Sequence, residues 1–259
     1  MRYFLCLSYD GAAFCGWQIQ PSSPSVQACL EETLSRLLNR PVAVTGAGRT
    51  DTGVHAVNYV AHFDTDGPLP FEASDFIYKL NSMLPHGVAI ISVSEVPADL
   101  HARFSAKRRE YTYFIHRKKD PFVRNYSWLC GYPQLDFEAM NKACQYLLGT
   151  HDFSCFEKTG GDNKTSICTV FEAYWEPYVP TLASICHSER SEESNYWYFR
   201  IAADRFLRNM VRATVGTLIE VGRGKHSPEW VAELVEKGTR SEAGESVPGN
   251  ALFLNKVIY

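Results

Sequence analysis

Apolar and polar positions along the chain alternate between two periods, and the switches between them mark out the elements. Tyr3–Ser8 reads as a strand. Ser25 stands before a helical pattern over Val26–Leu38, in which Val26, Leu30, Leu34, Leu37 and Leu38 share one face, so Ser25 is the expected N-cap. A short apolar run, Val42–Thr45, feeds a glycine-rich loop. Val57–Phe63 follows as a strand, Phe71–Leu84 as a helix ending at Pro85, and Val88–Val96 as a strand with alternating apolar positions. The order then repeats loosely. Tyr111–Ile115, Val170–Trp175, Trp197–Ile201 and Leu252–Ile258 read as strands; Phe137–Leu148, Phe206–Val221 and Pro228–Lys237 read as helices.

Two similar halves of this kind predict an α+β fold. Each half is expected to be a domain with an antiparallel or mixed sheet and helices on one face, the active-site cleft lying between them. The boundary falls near residues 98–106, giving domains 1–103 and 104–259. Thr181–Asn195, rich in serine and charge, reads as an extended connection between two strands.

Composition changes this picture little. At 259 residues, 45% hydrophobic and 21% charged, the chain is an ordinary globular one. No apolar run approaches the roughly 18 residues that span a bilayer. The N-terminus lacks a signal-peptide pattern, so no membrane association and a cytoplasmic location are expected. Eight cysteines include no CxxC pair. Most lie in apolar patterns, as reduced core thiols do.

The net charge of −3 hides a distribution. Arg103, Lys107, Arg108, Arg109, Arg117, Lys118 and Lys119 crowd one stretch, opposed only by Glu110; Arg200, Arg205, Arg208, Arg212, Arg223 and Lys225 form a second group. A basic face on a mildly acidic protein is compatible with phosphate binding.

The densest chemistry lies in Gly46-Ala47-Gly48-Arg49-Thr50-Asp51-Thr52-Gly53-Val54-His55. Glycines ending a strand mean unusual dihedrals or close approach. Asp51, two residues from Arg49, is a candidate nucleophile or base. The loop is not a dinucleotide fingerprint, because an acid at position 51 would repel a pyrophosphate. No Gly-Lys-Ser/Thr follows, as a P-loop requires. Asp51-Thr52-Gly53 has the aspartic-protease tripeptide but no second copy to share a proton with. His55 and His62 lack a third ligand at metal spacing; packing or hydrogen bonding is expected of them, and no metal.

Two further groups stand out. In His101–Tyr113, basic residues run into a strand whose Tyr111 and Tyr113 share a face. Cations neutralise phosphates and aromatic rings stack on exposed bases. In Asp204–Arg212, Arg208 and Arg212 are four apart and are expected on one helix face, where a buried arginine needs an anionic partner.

Gly48-Arg49-Thr50-Asp51-Thr52-Gly53-Val54-His55, Arg103-Phe104-Ser105-Ala106, the Tyr111 strand, and Met210-Val211-Arg212 with Val215-Gly216 occur in order. Together they resemble the tRNA pseudouridine synthase A (TruA) family over almost the whole chain. The resemblance implies an isomerase that converts uridine to pseudouridine at positions 38–40 of the tRNA anticodon arm, without cofactor. It implies Asp51 as nucleophile or base, Arg49 as the residue displacing the target base, and Tyr111 as a catalytic residue that stacks on that base and whose hydroxyl assists removal of the C5 proton. It implies Arg212 as the arginine paired with the catalytic aspartate and Leu252 as a packing residue beneath the base. Arg103 and Arg208 are expected to bind substrate. It also implies a homodimer with one tRNA contacting both subunits. Attack by Asp51 at C6, attack at C1′ and proton abstraction at C2′ use the same carboxylate and stay open. The competing readings are a non-catalytic tRNA-binding protein, which has no need of Asp51, and a dimeric aspartic protease. Val247-Pro248-Gly249-Asn250-Ala251 departs from the family's usual glycine placement before Leu252.

Overall fold

A computed structural model describes residues 1–160, 164–181 and 195–259. The connection expected over Thr181–Asn195 lies almost wholly outside them. The chain is α+β, with mixed sheet pairing and, among the described residues, five helices. It divides into two compact units: Met1–Lys107 with Phe253–Tyr259, and Arg108–Leu252.

In the first unit, β1 (Arg2–Tyr9) pairs antiparallel with both β3 (His55–Asp64) and β4 (Val88–Val96). The short β2 (Val44–Gly46) also pairs antiparallel with β3, while the closing strand β10 (Leu252–Ile258) runs parallel to it. Helix α1 (Val26–Leu38) begins where the Ser25 hydroxyl accepts from the Ala28 amide at 3.3 Å, and ends at Asn39 in the left-handed region, φ 51°. It buries Val26, Leu30 and Leu34, the stripe its period dictates. Helix α2 (Ala73–Met83) packs on β4, and its Phe76 stacks on Phe63 of β3 with ring centroids 6.2 Å apart. Tyr3, Leu5, Leu7 and Tyr9, alternate residues of β1, are all buried.

In the second unit, β5 (Arg108–His116), β9 (Tyr196–Ala203), β8 (Ile167–Pro177) and β7 (Gly149–Asp152) form antiparallel neighbours in that order, and β6 (Trp128–Leu129) adds parallel to β5. Helix α3 (Phe137–Gln145) is capped by Asp136, whose carboxylate accepts from the Ala139 amide at 2.8 Å. Phe137 stacks on Trp197 at 3.6 Å, seating α3 on the sheet. Helix α4 (Met210–Gly222) is buried on nearly every side and packs on α3; α5 (Trp230–Lys237) completes the layer.

One expectation needs correcting. The helix predicted over Phe206–Val221 begins only at Met210, because Asn209 takes the left-handed conformation, φ 64°. Arg208 therefore precedes the helix and shares no helix face with Arg212.

Candidate active site

The glycine loop is held from behind by aromatic side chains. Gly46 closes β2 against a stacked pair, Trp17 on Tyr59 at 4.2 Å; a Cβ there would lie 2.1 Å from the Tyr59 hydroxyl oxygen. The Tyr59 hydroxyl donates to the Gly48 carbonyl and accepts from the Gly48 amide at 3.3 Å. One residue before Asp51, the Thr50 hydroxyl bonds the buried Tyr9 hydroxyl at 2.8 Å, and the Thr50 carbonyl accepts from the Trp17 amide at 3.3 Å. Gly16 sits against that same carbonyl, where a Cβ would come within 2.3 Å, at φ +91°. Beyond Asp51 the chain reverses: the Val54 amide donates to the Asp51 carbonyl at 3.1 Å, with Gly53 at φ 77°. His55 is buried, stacks on Phe253 at 4.5 Å, and accepts from the Gly11 amide through Nδ1 at 3.0 Å. Asp51, half-buried, thus lies between Thr50, held by Tyr9 and the Trp17 backbone, and a turn closed by the Val54 amide.

A second loop of the same unit carries Arg103. The His101 amide donates to the Ser105 hydroxyl at 2.9 Å, and the Arg103 amide to His101 Nδ1 at 3.1 Å. The Ala102 amide donates to Nδ1 of buried His62 at 3.1 Å, and the Ala102 carbonyl accepts from the Tyr259 hydroxyl at 2.7 Å. His62 is thereby neutral with its proton on Nε2. Burial, followed by the charge of Arg2, lowers its pKa to about 4. Arg103 and Arg49, both exposed and far apart in sequence, line one cavity of about 230 Å³ together with Trp17, Gln18, Gln27 and Thr45. Both histidines singled out from the sequence serve hydrogen bonding and packing, as expected.

The second unit carries the other expected site residues. Tyr111 and Tyr113 lie on one face of β5 and both are buried. The Tyr111 ring meets Phe206 edge-on at 5.0 Å. The Tyr113 hydroxyl donates to the Pro248 carbonyl at 2.9 Å, and burial pushes its pKa far up, so it stays protonated. Arg212, near the start of α4, donates through Nε to the Val247 carbonyl at 2.7 Å. Tyr113 and Arg212 thus hold adjacent residues of the loop that leads to buried Leu252. Asn250 in that loop donates to the Arg124 carbonyl at 3.3 Å. Arg208 lies elsewhere, exposed, donating to the Thr159 and Gly160 carbonyls at 3.2 and 3.4 Å.

The basic stretch is less available than its sequence suggests. Arg108 binds Glu110 at 2.9 Å and Glu172 at 2.7 Å, and Arg200 reaches the other Glu110 oxygen at 2.6 Å. These pairs lie on the face of β5 opposite Tyr111. Arg109 donates to the Asp204 carbonyl at 2.8 Å.

Tyr9, Tyr59, Trp17 and Gly16 support the site residues, and no local pattern announced them; Tyr113 stood out only as a strand neighbour of Tyr111. Each acts through a partner distant in sequence. Among the described residues no group of three or more metal-binding side chains occurs, and no helix is long and apolar enough to cross a membrane.

Comparison with known proteins shows what the chain is similar to. The family model for tRNA pseudouridine synthase matches residues 5–105 and 143–259. A tRNA pseudouridine synthase A of Porphyromonas gingivalis is 45% identical over 258 residues, covering 100% of this chain and 97% of that protein. One of Bacteroides fragilis is 46% identical over 259 residues, covering 100% and 96%. A tRNA pseudouridine synthase A 2 of Clostridium perfringens is 40% identical, covering 98% of each chain.

Proposed function

The chain belongs to the tRNA pseudouridine synthase A family, and from that membership we propose that it isomerises uridine to pseudouridine at positions 38–40 of the tRNA anticodon arm. The observation that carries the reading is the family match over residues 5–105 and 143–259, which includes the Asp51 loop, together with the hydrogen bonds that hold that loop. The reaction detaches the base from ribose C1′, turns it, and rejoins it through C5. A carboxylate placed by buried hydroxyl and backbone contacts on either flank is preorganised for such a step. No metal or cofactor is assigned a role.

Asp51 is the catalytic carboxylate in this reading. Arg49 displaces the target base from its stack, which costs a few kcal/mol. Tyr111 stacks on the released ring, and Leu252 packs beneath it. Arg212 partners the catalytic aspartate. A nearby guanidinium keeps a carboxylate ionised where desolvation would otherwise protonate it, and lysine does not reproduce its planar fork. Arg103 and Arg208 contact the RNA backbone. The enzyme works in the cytoplasm as a homodimer whose subunits share one tRNA.

The test is tritium release from tRNA transcripts carrying uridine labelled at C5, with purified wild type and Asp51→Asn. Wild type is expected to release label from positions 38–40, and Asp51→Asn to remain at background. Equal release by both proteins overturns the assignment of Asp51; binding of tRNA with no release by wild type would leave a non-catalytic tRNA-binding protein.

A further inference from the structure

The segment that carries Val247 is fastened along α4 residue by residue. The Gly244 amide donates to the Thr217 hydroxyl at 2.9 Å, and the Glu245 carbonyl lies against Gly216, where a Cβ would stand 1.7 Å away. The Val247 amide donates to the Arg212 carbonyl at 3.3 Å, and the Val247 carbonyl accepts from Arg212 Nε at 2.7 Å. Between these contacts Ser246 reaches back to the start of the helix. Its hydroxyl oxygen accepts from Asn209 Nδ2 at 2.5 Å and from Arg240 Nη2 at 2.9 Å. Arg240 also donates to the Gly244 carbonyl at 3.0 Å.

Asn209 is the odd member of this set. It is the N-cap of α4 and takes the left-handed conformation, φ 64° and ψ 2°. An N-cap asparagine usually turns its side-chain oxygen onto the amides of the first turn. Asn209 makes no such bond; its side chain goes to Ser246 instead. Of the residues that commonly visit the left-handed region, glycine has no side chain and aspartate has no donor. Asparagine supplies both the conformation and an N–H for Ser246. A non-glycine residue kept in a sparsely populated backbone region marks a place where function over-determines the fold. The group that benefits is Arg212. Its Nε bond to Val247 fixes the plane of the guanidinium, and with it the direction of the terminal nitrogens. Any shift of Val247 turns that plane. We propose that Asn209 is a positioning residue: through Ser246 it holds Val247 where its carbonyl aims the Arg212 guanidinium for catalysis. The proposal rests on the synthase reading above, in which Arg212 partners the catalytic aspartate.

The experiment measures kcat and KM for tritium release from C5-labelled tRNA, with urea denaturation of each protein alongside. Asn209→Gly keeps the backbone conformation and removes the donor, so it is expected to be at least as stable as wild type. Its kcat is expected to fall about tenfold with KM within about twofold, because misplacing a catalytic group costs rate rather than binding. Ser246→Ala removes the acceptor and is expected to give the same loss, and the double variant to be no slower than either single one, since both cut one link. In an Arg212→Lys background, Asn209→Gly is expected to change kcat by less than about twofold. Unchanged kcat in Asn209→Gly, a loss confined to KM, additive losses with Ser246→Ala, or the full loss repeated in the Arg212→Lys background overturns the proposal and leaves the synthase reading in place. An Arg212→Lys protein as fast as wild type removes the role of Arg212, and this proposal with it. No release by wild type overturns the synthase reading as well.

Discussion

Acidification should destabilise the fold through a single histidine. His62 is 5% exposed, and its Nδ1 accepts the Ala102 amide, so its folded form is the neutral one. Its folded pKa of about 4 lies below the ordinary value of 6.5 that the unfolded chain regains. The unfolded state therefore binds a proton first as pH falls. The stabilisation is whole above pH 6.5 and is progressively lost as pH drops towards 4. For one group with these two values, linkage gives a loss of about 2 kcal/mol between neutrality and pH 5. Asp64 also faces the ring and pulls the other way, while Arg2 and His101 reinforce the shift. His62→Gln offers the Ala102 amide an acceptor that does not titrate, so it isolates the contribution. Urea denaturation at pH 7.5 and pH 5.0 should show wild type losing about 2 kcal/mol more than the variant. Parallel pH dependences in the two proteins would refute the reasoning, because every other acid-sensitive group is common to both.

Gly216→Ala should destabilise the protein by about 2–3 kcal/mol in urea, although alanine normally favours a helix interior. The new Cβ would lie 1.7 Å from the Glu245 carbonyl oxygen, so α4 or the 244–247 segment must move. Glu110→Ala should cost about 1–2 kcal/mol, because Arg108 and Arg200 lose their shared carboxylate but are partly exposed and keep Glu172. Arg212→Lys should lower kcat for pseudouridine formation without restoring the Nε bond to Val247.

The helices were legible where apolar spacing and a cap agreed. Ser25 and the stripe Val26–Leu30–Leu34 define α1, and β4 falls on Val88–Val96 as its alternation predicted. Periodicity misled at Phe206–Leu207, whose apolar pattern runs smoothly into α4; nothing local shows that Asn209 turns left-handed. Strand β7 went unseen because its four residues, Gly149–Asp152, are short and polar, and gain their pairing only from β8. The site followed the same division. Asp51 and Arg49 stand out as chemistry within a glycine loop. The Tyr9–Thr50 and Tyr59–Gly48 bonds join residues that no short window contains, and the bond from Asn209 to Ser246 is invisible without coordinates. The basic stretch looked more open than it is because the acid that occupies Arg108 alongside Glu110, Glu172, lies on another strand.

The seven residues Phe253–Tyr259 belong to the unit that begins at Met1. The Lys107 amide donates to the Ile258 carbonyl at 2.8 Å, and Asn58 donates to the Asn255 carbonyl at 3.0 Å. On the ribosome, therefore, the first unit cannot close as it emerges. The His55 end of strand β3 waits without its β10 neighbour while the entire second unit is made, and His55, at the end of the Asp51 loop, lacks its Phe253 stacking partner until then. Domains usually fold in the order of synthesis. Here the order of synthesis makes the loop that carries Asp51 among the last parts to set, so a nascent chain stalled before residue 253 should hold a folded second unit and an unfinished Asp51 loop.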